Sequence, residues 1–150
     1  APQGPFDLVT MTGNVAQVFL SDSEWLTTLR EVRRRVAPTG HMVFEARRPE
    51  AKAWETWAAP FEASSTFAGV GLVHQSRHLL GVDLPRVSFR WRFAFPDGSV
   101  IDSDSTLVFR SEDENRDLLT SAGFSVVEVR QAPDRPNLEH VYIAAPRDCS

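Results

Sequence analysis

The stretch LREVRRRVAPTGHMVFE, residues 29–45, predicts the end of a helix followed by a buried strand. The helix is expected to begin at the capping box Ser21–Glu24, where hydroxyl and carboxylate can satisfy each other's backbone N–H groups. Its apolar stripe at helical spacing comprises Trp25, Leu29, Val32 and Val36. We expect Pro38 and Gly40 to end this helix and residues 41–46 to form the strand.

Another short strand is expected upstream, in FDLVTMT at residues 6–12, which is largely apolar after Asp7 and ends at Gly13. A strand, a helix and a strand joined by short connections form a right-handed β-α-β unit with parallel strands. We therefore expect residues 5–49 to form such a unit within a single domain that spans residues 1–150.

The periodicity changes after this unit, and we expect residues 50–110 to form an insertion with antiparallel strands. Apolar and aromatic residues alternate with polar ones on both sides of a Pro-Asp-Gly turn, which is typical of a hairpin. The expected elements are a short helix at residues 50–58 and strands at 71–80, 87–95 and 101–109. Together they predict a β-meander with one aromatic face.

The last segment, residues 111–146, predicts a helix and a terminal strand pair. Ser111 and Glu114 repeat the capping-box spacing, and Gly123 is placed to follow the end of the helix. Strands are expected at residues 125–129 and 138–145. Because a tight Pro-rich turn joins them, they should be antiparallel.

Composition argues against several functional classes. A net charge of −4 disfavours a nucleic-acid surface, and we expect the basic cluster at residues 30–35 to be a solvated helix face. No apolar run approaches the roughly 18 residues of a membrane span, so we expect no membrane association. Cys149 is the single cysteine, and a reducing, cytoplasmic location is its simplest interpretation.

The order of these elements resembles the second half of a class I S-adenosylmethionine-dependent methyltransferase. The residues that carry the resemblance are FDLV at 6–9, the stretch at 29–45 and LLTSAGF at 118–124. Pro38–Gly40 stands where the family commonly has a Pro-Gly-Gly-like turn. The resemblance covers essentially the whole chain and implies an α/β fold. Its sheet would be a partial Rossmann-like one, comprising strands four to seven with the last strand antiparallel, and would carry an antiparallel β-meander insertion.

The resemblance also implies what this chain lacks. In the family, a Gly-rich turn after the first strand and acidic residues after later strands hold most of the cofactor. The eight glycines here include no Gly-x-Gly-x-Gly pattern. We therefore expect S-adenosylmethionine to serve the parent protein, whereas this chain looks like a truncated or shortened form that is inactive alone and holds no cofactor by itself.

Candidate site residues follow from the same resemblance. The family's segment after the fourth strand passes beside the transferable methyl group, so Met11, Thr12, Gly13 and Asn14 are cofactor-binding candidates here. Gln17, one helical turn on, is a substrate-binding candidate. Ligands of open α/β sheets do bind at the carboxyl ends of strands. The alternative is that Asn14 stabilises its own turn.

Further substrate-binding candidates are Arg47, Trp54 and Trp57. Arg47 leaves the second strand at the same sheet edge and could clamp a carboxylate or phosphate; the alternative is a solvated strand end. Insertions after the family's fifth strand often form the substrate lid. The two tryptophans would then line an aromatic pocket for a small molecule, or else form the core of the insertion.

His74 is the candidate catalytic residue, as a general base for a hydroxyl or amine substrate. His78 lies on the same face of the expected strand, but four strand residues span about 13 Å, so the two cannot share a metal. We expect no metal site. A Gly-x-Ser-x-Gly elbow is also absent, which disfavours a hydrolase.

Two functions fit these features. The first is the substrate side of a small-molecule methyltransferase, which transfers a methyl group in line to an O, N or C nucleophile. The alternative is a cofactor-independent small-molecule binding protein, or a cyclase or isomerase derived from the same fold. Under either, the strand at residues 6–12 becomes an open sheet edge. We therefore expect a homodimer or swapped assembly through residues 6–20.

Overall fold

The computed structural model of the chain describes residues 4–147. These residues divide into two compact units. The first runs up to Ala51 and resumes at Val108, and the second is Lys52–Leu107. The second unit corresponds to the insertion expected at residues 50–110.

The described residues form eight strands and three α-helices, with two short 3₁₀ turns at Val15–Val18 and Pro49–Ala51. In chain order the strands and helices are β1 Phe6–Met11, α1 Asp22–Arg33, β2 Val36–Arg47, α2 Ala53–Trp57, β3 Phe61–Phe67, β4 Gly71–Asp83, β5 Arg86–Ala94, β6 Val100–Val108, α3 Glu112–Ser121, β7 Phe124–Gln131 and β8 Glu139–Pro146. No described helix is long and apolar enough to cross a membrane.

The sheet of the first unit has the strand order β1-β2-β8-β7. β1 and β2 are parallel, whereas β8 runs antiparallel to both of its neighbours. This confirms the partial Rossmann-like sheet with a reversed last strand. It also leaves β1 at one edge with Leu8 58% exposed, which agrees with the open sheet edge expected at residues 6–12.

The connection from α1 to β2 differs from the prediction. The capping box of Ser21 and Glu24 is present, but α1 ends at Arg33 and β2 has already begun at Val36. Pro38 and Gly40 therefore lie inside a strand and do not end a helix. Gly40 is required there because a Cβ would lie only 2.7 Å from the carbonyl oxygen of Phe6 on β1.

Aromatic side chains form the centre of the first unit's core. The Phe44 and Tyr142 rings stack with centroids 4.7 Å apart, and Trp25 meets Phe44 edge-on at 5.3 Å. Leu29 and Phe124 are also fully buried. Each such side chain contributes about 1.5–3 kcal/mol on burial. Trp25 and Leu29 of the predicted stripe thus belong to the core on α1, whereas Val36 is the first residue of β2.

The second helix pattern is confirmed. Ser111 and Glu114 form the predicted capping box of α3, and Gly123 follows its C-cap with a φ of 90°. A left-handed φ is easy for glycine and strained for other residues. The chain can therefore turn directly from α3 into β7, which buries Phe124.

The second unit's sheet has the order β3-β4-β5-β6. β4 and β5 confirm the antiparallel meander, but β3 was not predicted. Its sequence, FEASSTF, has mainly small polar residues between its two phenylalanines and gives only a weak alternation of apolar and polar residues. One face of this sheet is polar, and three side-chain pairs cross it: Ser88 with Thr106, Arg90 with Asp104, and Arg92 with Asp102.

Candidate site at the carboxyl ends of β1 and β2

The ends of β1 and β2 are tied together by a backbone-to-carboxylate hydrogen bond. The Gly13 N–H donates to Glu45 Oε1 at 2.7 Å, directly after β1 ends. Gly13 has a φ of 72° and Asn14 a φ of 60°, so the chain turns sharply here. Thr12 and Gly13 are exposed, whereas Met11 packs against the core.

Asn14 points into the protein. The residue is only 2% exposed, and its Nδ2 donates to Glu139 Oε1 at 2.9 Å. Its Oδ1 is buried and accepts no hydrogen bond from the described residues. An unsatisfied buried acceptor is costly, so a donor from a ligand or a water at this position would be stabilising.

Glu139, at the start of β8, is a site residue that the sequence did not reveal. It is 2% exposed and lies opposite Arg47 in the β2–β8 register. Its Oε1 also accepts from Arg135 Nη1 at 2.8 Å, and this hydrogen bond raises the pKa of the Arg135 guanidinium. The signal available in the sequence was one carboxylate at the start of a largely apolar strand segment.

Gln17 and Arg47 support each other. Gln17 is buried, its Nε2 donates to the Val108 carbonyl at 3.2 Å, and its Oε1 accepts from Arg47 Nη1 at 3.2 Å and from the Arg47 N–H at 3.3 Å. Both ends of the Gln17 amide are therefore used inside the unit. We call Asn14, Gln17, Glu45, Arg47 and Glu139 the edge cluster.

His74 lies in the second unit, on the polar face of its sheet. Its Nδ1 is 2.7 Å from Ser64 Oγ, and it lines an open depression with Glu62, Ser76 and Arg92. His78 is on the same face of β4, as expected, and its Nε2 is 3.0 Å from Ser76 Oγ. No group of three or more potential metal ligands comes together among the described residues.

Trp54 and Trp57 lie on α2, also in the second unit. Both are half-buried, and the Trp57 ring meets Phe89 edge-on at 5.1 Å. The structure thus brings Asn14, Gln17 and Arg47 together in the edge cluster. The two tryptophans and His74 belong to the other unit.

The edge cluster is built to hold polar groups in fixed positions. Asn14 Oδ1 is a buried acceptor without a donor among the described residues, and it lies beside the Glu139 carboxylate. Arg135 in turn holds that carboxylate with a hydrogen bond. The exposed backbone of Thr12 and Gly13 forms the outer rim of the edge cluster. A ligand hydroxyl, amide or ammonium group would complete its hydrogen bonding.

Comparison with known proteins identifies the fold. No protein-family model and no curated protein sequence matches the chain. Solved structures do match: a methyltransferase from Clostridium acetobutylicum (TM-score 0.78, 12% identity, covering 99% of this chain and 61% of that one) and the CcbJ methyltransferase of Streptomyces caelestis (TM-score 0.74, 15% identity, 99% and 60%). The S-adenosylmethionine-bound amino pentose methyltransferase CalS10 of Micromonospora echinaspora also matches (TM-score 0.67, 15% identity, 95% and 60%).

At these identities the fold is what is shared. The chain spans about 60% of the length of the structures it matches. Its sheet, with β1 and β2 parallel and β8 reversed between β2 and β7, agrees with the resemblance found in the sequence. The chain therefore has the fold of part of an S-adenosylmethionine-dependent methyltransferase.

Proposed function

We propose that this chain supplies the substrate side of a small-molecule methyltransferase and is inactive alone. The observation that carries the proposal is the unsatisfied Asn14 Oδ1, held at the carboxyl end of β1 where open α/β sheets bind ligands. A turn-stabilising asparagine would use its side chain locally. Asn14 instead donates to Glu139 on β8 and keeps its acceptor free.

The described residues fit only one rim of an S-adenosylmethionine site. Asn14 Oδ1 would accept from a donor on the cofactor, and the exposed Thr12–Gly13 backbone would lie against it. No Gly-rich strand-turn-helix is found among residues 4–147 to cradle the remainder. When bound, the cofactor supplies an electrophilic methyl group.

The contribution of the edge cluster is positioning. Glu139 fixes the Asn14 amide, Arg135 fixes Glu139, and the Gln17–Arg47 pair braces the neighbouring strand end. Groups held in this way lose little entropy on binding and keep reacting atoms aligned. Positioning of this kind is the contribution that we propose for the edge cluster in methyl transfer.

His74 is the proposed general base. When its Nδ1–H donates to Ser64 Oγ, Nε2 is the acceptor and can take the proton that an O or N nucleophile loses. Trp54 and Trp57 are proposed to contact an apolar part of the substrate. A reducing, cytoplasmic setting suits a chain whose single cysteine has no partner within it.

The test is methyl transfer by the longest open reading frame that contains this chain. Release of S-adenosylhomocysteine is measured with a panel of amino sugars, phenols and amines, for wild type and for Asn14→Ala. We expect turnover with at least one acceptor and about a tenfold loss in the variant. Binding of apolar ligands with no response to the cofactor would favour the cofactor-independent alternative.

We also propose that residues 6–20 bind a second copy of the chain. β1 is the edge strand of its sheet as far as residues 4–147 show. The segment that contains it exposes a set of large apolar side chains, Leu8, Val15, Val18 and Leu20. Open apolar edges associate with other strands. A two-fold pairing of β1 with its own copy would cover these residues at once.

A further inference from the structure

The second unit contains an arginine that is surrounded by aromatic rings and forms no ion pair with a carboxylate of residues 4–147. Arg77 lies on β4, between Phe61 of β3 and Trp91 of β5 in the strand register. Its guanidinium carbon is 5.3 Å from the Phe61 ring centroid, 5.7 Å from that of Trp91 and 5.7 Å from that of Trp57. Two neighbouring strands and α2 thus build one aromatic box around a cation.

Arg77 also has a donor without an acceptor in the described part of the chain. The Nε of Arg77 is buried and has no hydrogen-bond partner among residues 4–147. The aspartates of this sheet, Asp102 and Asp104, form their ion pairs with Arg90 and Arg92 instead. Burial lowers the pKa of the Arg77 guanidinium, because the charged form has lost water without gaining an anion.

The opposite face of the same sheet shows what the other guanidinium groups do. Arg90 grips Asp104 with two parallel N–H bonds at 2.6 and 2.8 Å, and Arg92 grips Asp102 with two at 2.8 Å. Such forked pairs are the preferred geometry between guanidinium and oxyanion. Arg77 carries the same pair of parallel N–H donors, but no carboxylate of residues 4–147 accepts from them.

Space for a ligand lies next to Arg77. A cavity of about 470 Å³ is lined by Trp57, Phe61, Arg77 and Leu79, among other residues of the unit. Glu62 and His78 also border it. They alternate with Phe61 and Arg77 along their strands, so they point to the polar face. A guanidinium stacked on rings still offers its in-plane edge to an anion.

We propose that Arg77 and its aromatic box bind a small organic oxyanion, a carboxylate or phosphate attached to an apolar or aromatic body. The anion takes the forked N–H donors of Arg77, and the body packs on Trp57 and Phe61. This site goes beyond the proposed methyl transfer and does not depend on it, since the binding needs no cofactor.

The test titrates the full chain with phenyl phosphate, benzoate, inorganic phosphate and benzyl alcohol, followed by tryptophan fluorescence. We expect saturable quenching by the two aromatic anions, and the tighter of them identifies phosphate or carboxylate as the preferred group. Inorganic phosphate and benzyl alcohol should each bind about tenfold more weakly or not at all. The proposal would be overturned if inorganic phosphate or benzyl alcohol bound as tightly as the aromatic anions. It would also be overturned if neither aromatic anion gave saturable quenching.

Two variants assign the binding to Arg77. Arg77→Gln should weaken the binding of both aromatic anions about tenfold. Arg130→Gln, which removes the same charge from an exposed position on β7, should leave them unchanged. An Arg77→Gln protein that folds and binds like wild type contradicts the site. If circular dichroism shows that this variant does not fold, the four-ligand comparison in wild type decides.

Discussion

The Asn14 amide donates to the Glu139 carboxylate at 2.9 Å, although the two residues are 125 positions apart in the chain. This contact joins the end of β1 to the start of β8, across the strand that lies between them. It fixes the orientation of Asn14 and thereby of its unsatisfied Oδ1. The edge cluster consequently depends on the terminal strand pair as much as on the β-α-β unit.

Glu139→Ala should destabilise the chain by about 1–3 kcal/mol, because it leaves the buried Asn14 amide without an acceptor. Urea denaturation measures the loss. The matched control is Glu128→Ala, an exposed glutamate on β7, which should change the free energy of unfolding by less than about 0.5 kcal/mol. Equal effects of the two substitutions would show that the Glu139 contact contributes nothing specific.

Gly40→Ala should detach β1 from β2. The added Cβ would meet the backbone carbonyls of Phe6 at 2.7 Å and Asp7 at 2.9 Å, which cannot move without breaking the strand pair. We expect a loss of about 1–3 kcal/mol and faster amide hydrogen exchange in β1. Gly81→Ala has no atom within 4 Å of its Cβ and should cause no loss. Unchanged exchange in β1 would refute the close approach.

The Tyr142 hydroxyl should ionise at a higher pH than an ordinary tyrosine. Burial raises its pKa to about 12, and it is the single tyrosine of the chain, so phenolate absorbance reports this residue alone. The denatured chain should titrate near the ordinary value of about 10. Since the folded protein holds the proton more tightly, Tyr142 contributes stability below about pH 10 that is lost as the pH rises towards 12. A midpoint near 10 in the folded protein would contradict its burial.

The proposed dimer through β1 can be tested by placing a charged side chain on this edge strand. We expect the wild-type chain to sediment as a dimer and Leu8→Lys to sediment as a monomer, because lysine on an edge strand blocks pairing. Val127→Lys is the control, since Val127 is 59% exposed on β7, at the opposite edge, against 58% for Leu8. A stable wild-type monomer, or loss of the dimer in both variants, would reject the proposed interface.

Local patterns in the sequence were enough to predict most of the fold. Both capping boxes, the Gly123 turn and the meander are local signals, and each is present. The boundary between α1 and β2 was misplaced because Pro38 and Gly40 read as helix-ending residues. The β1–β2 register instead uses Gly40 for a close strand approach, which depends on a partner distant in sequence.

The candidate site was only partly predictable for a related reason. Asn14, Gln17 and Arg47 lie at or shortly after strand ends, and that position together with the methyltransferase resemblance made them candidates. Glu139 and Arg77 acquire their character from neighbours that the fold brings in, a buried amide in one case and three aromatic rings in the other. Single-residue reading cannot show which polar atoms are left unsatisfied.

The most direct test of the central claim is calorimetric titration with S-adenosylhomocysteine. It compares the 150-residue chain with the longest open reading frame that contains it. We predict no saturable heat for the chain alone and saturable binding for the longer polypeptide. Asn14→Ala should weaken that binding about tenfold, and Asn137→Ala, an exposed asparagine with a similar φ of 65°, should not. No binding in the longer polypeptide, or equal binding by both variants, would contradict the account.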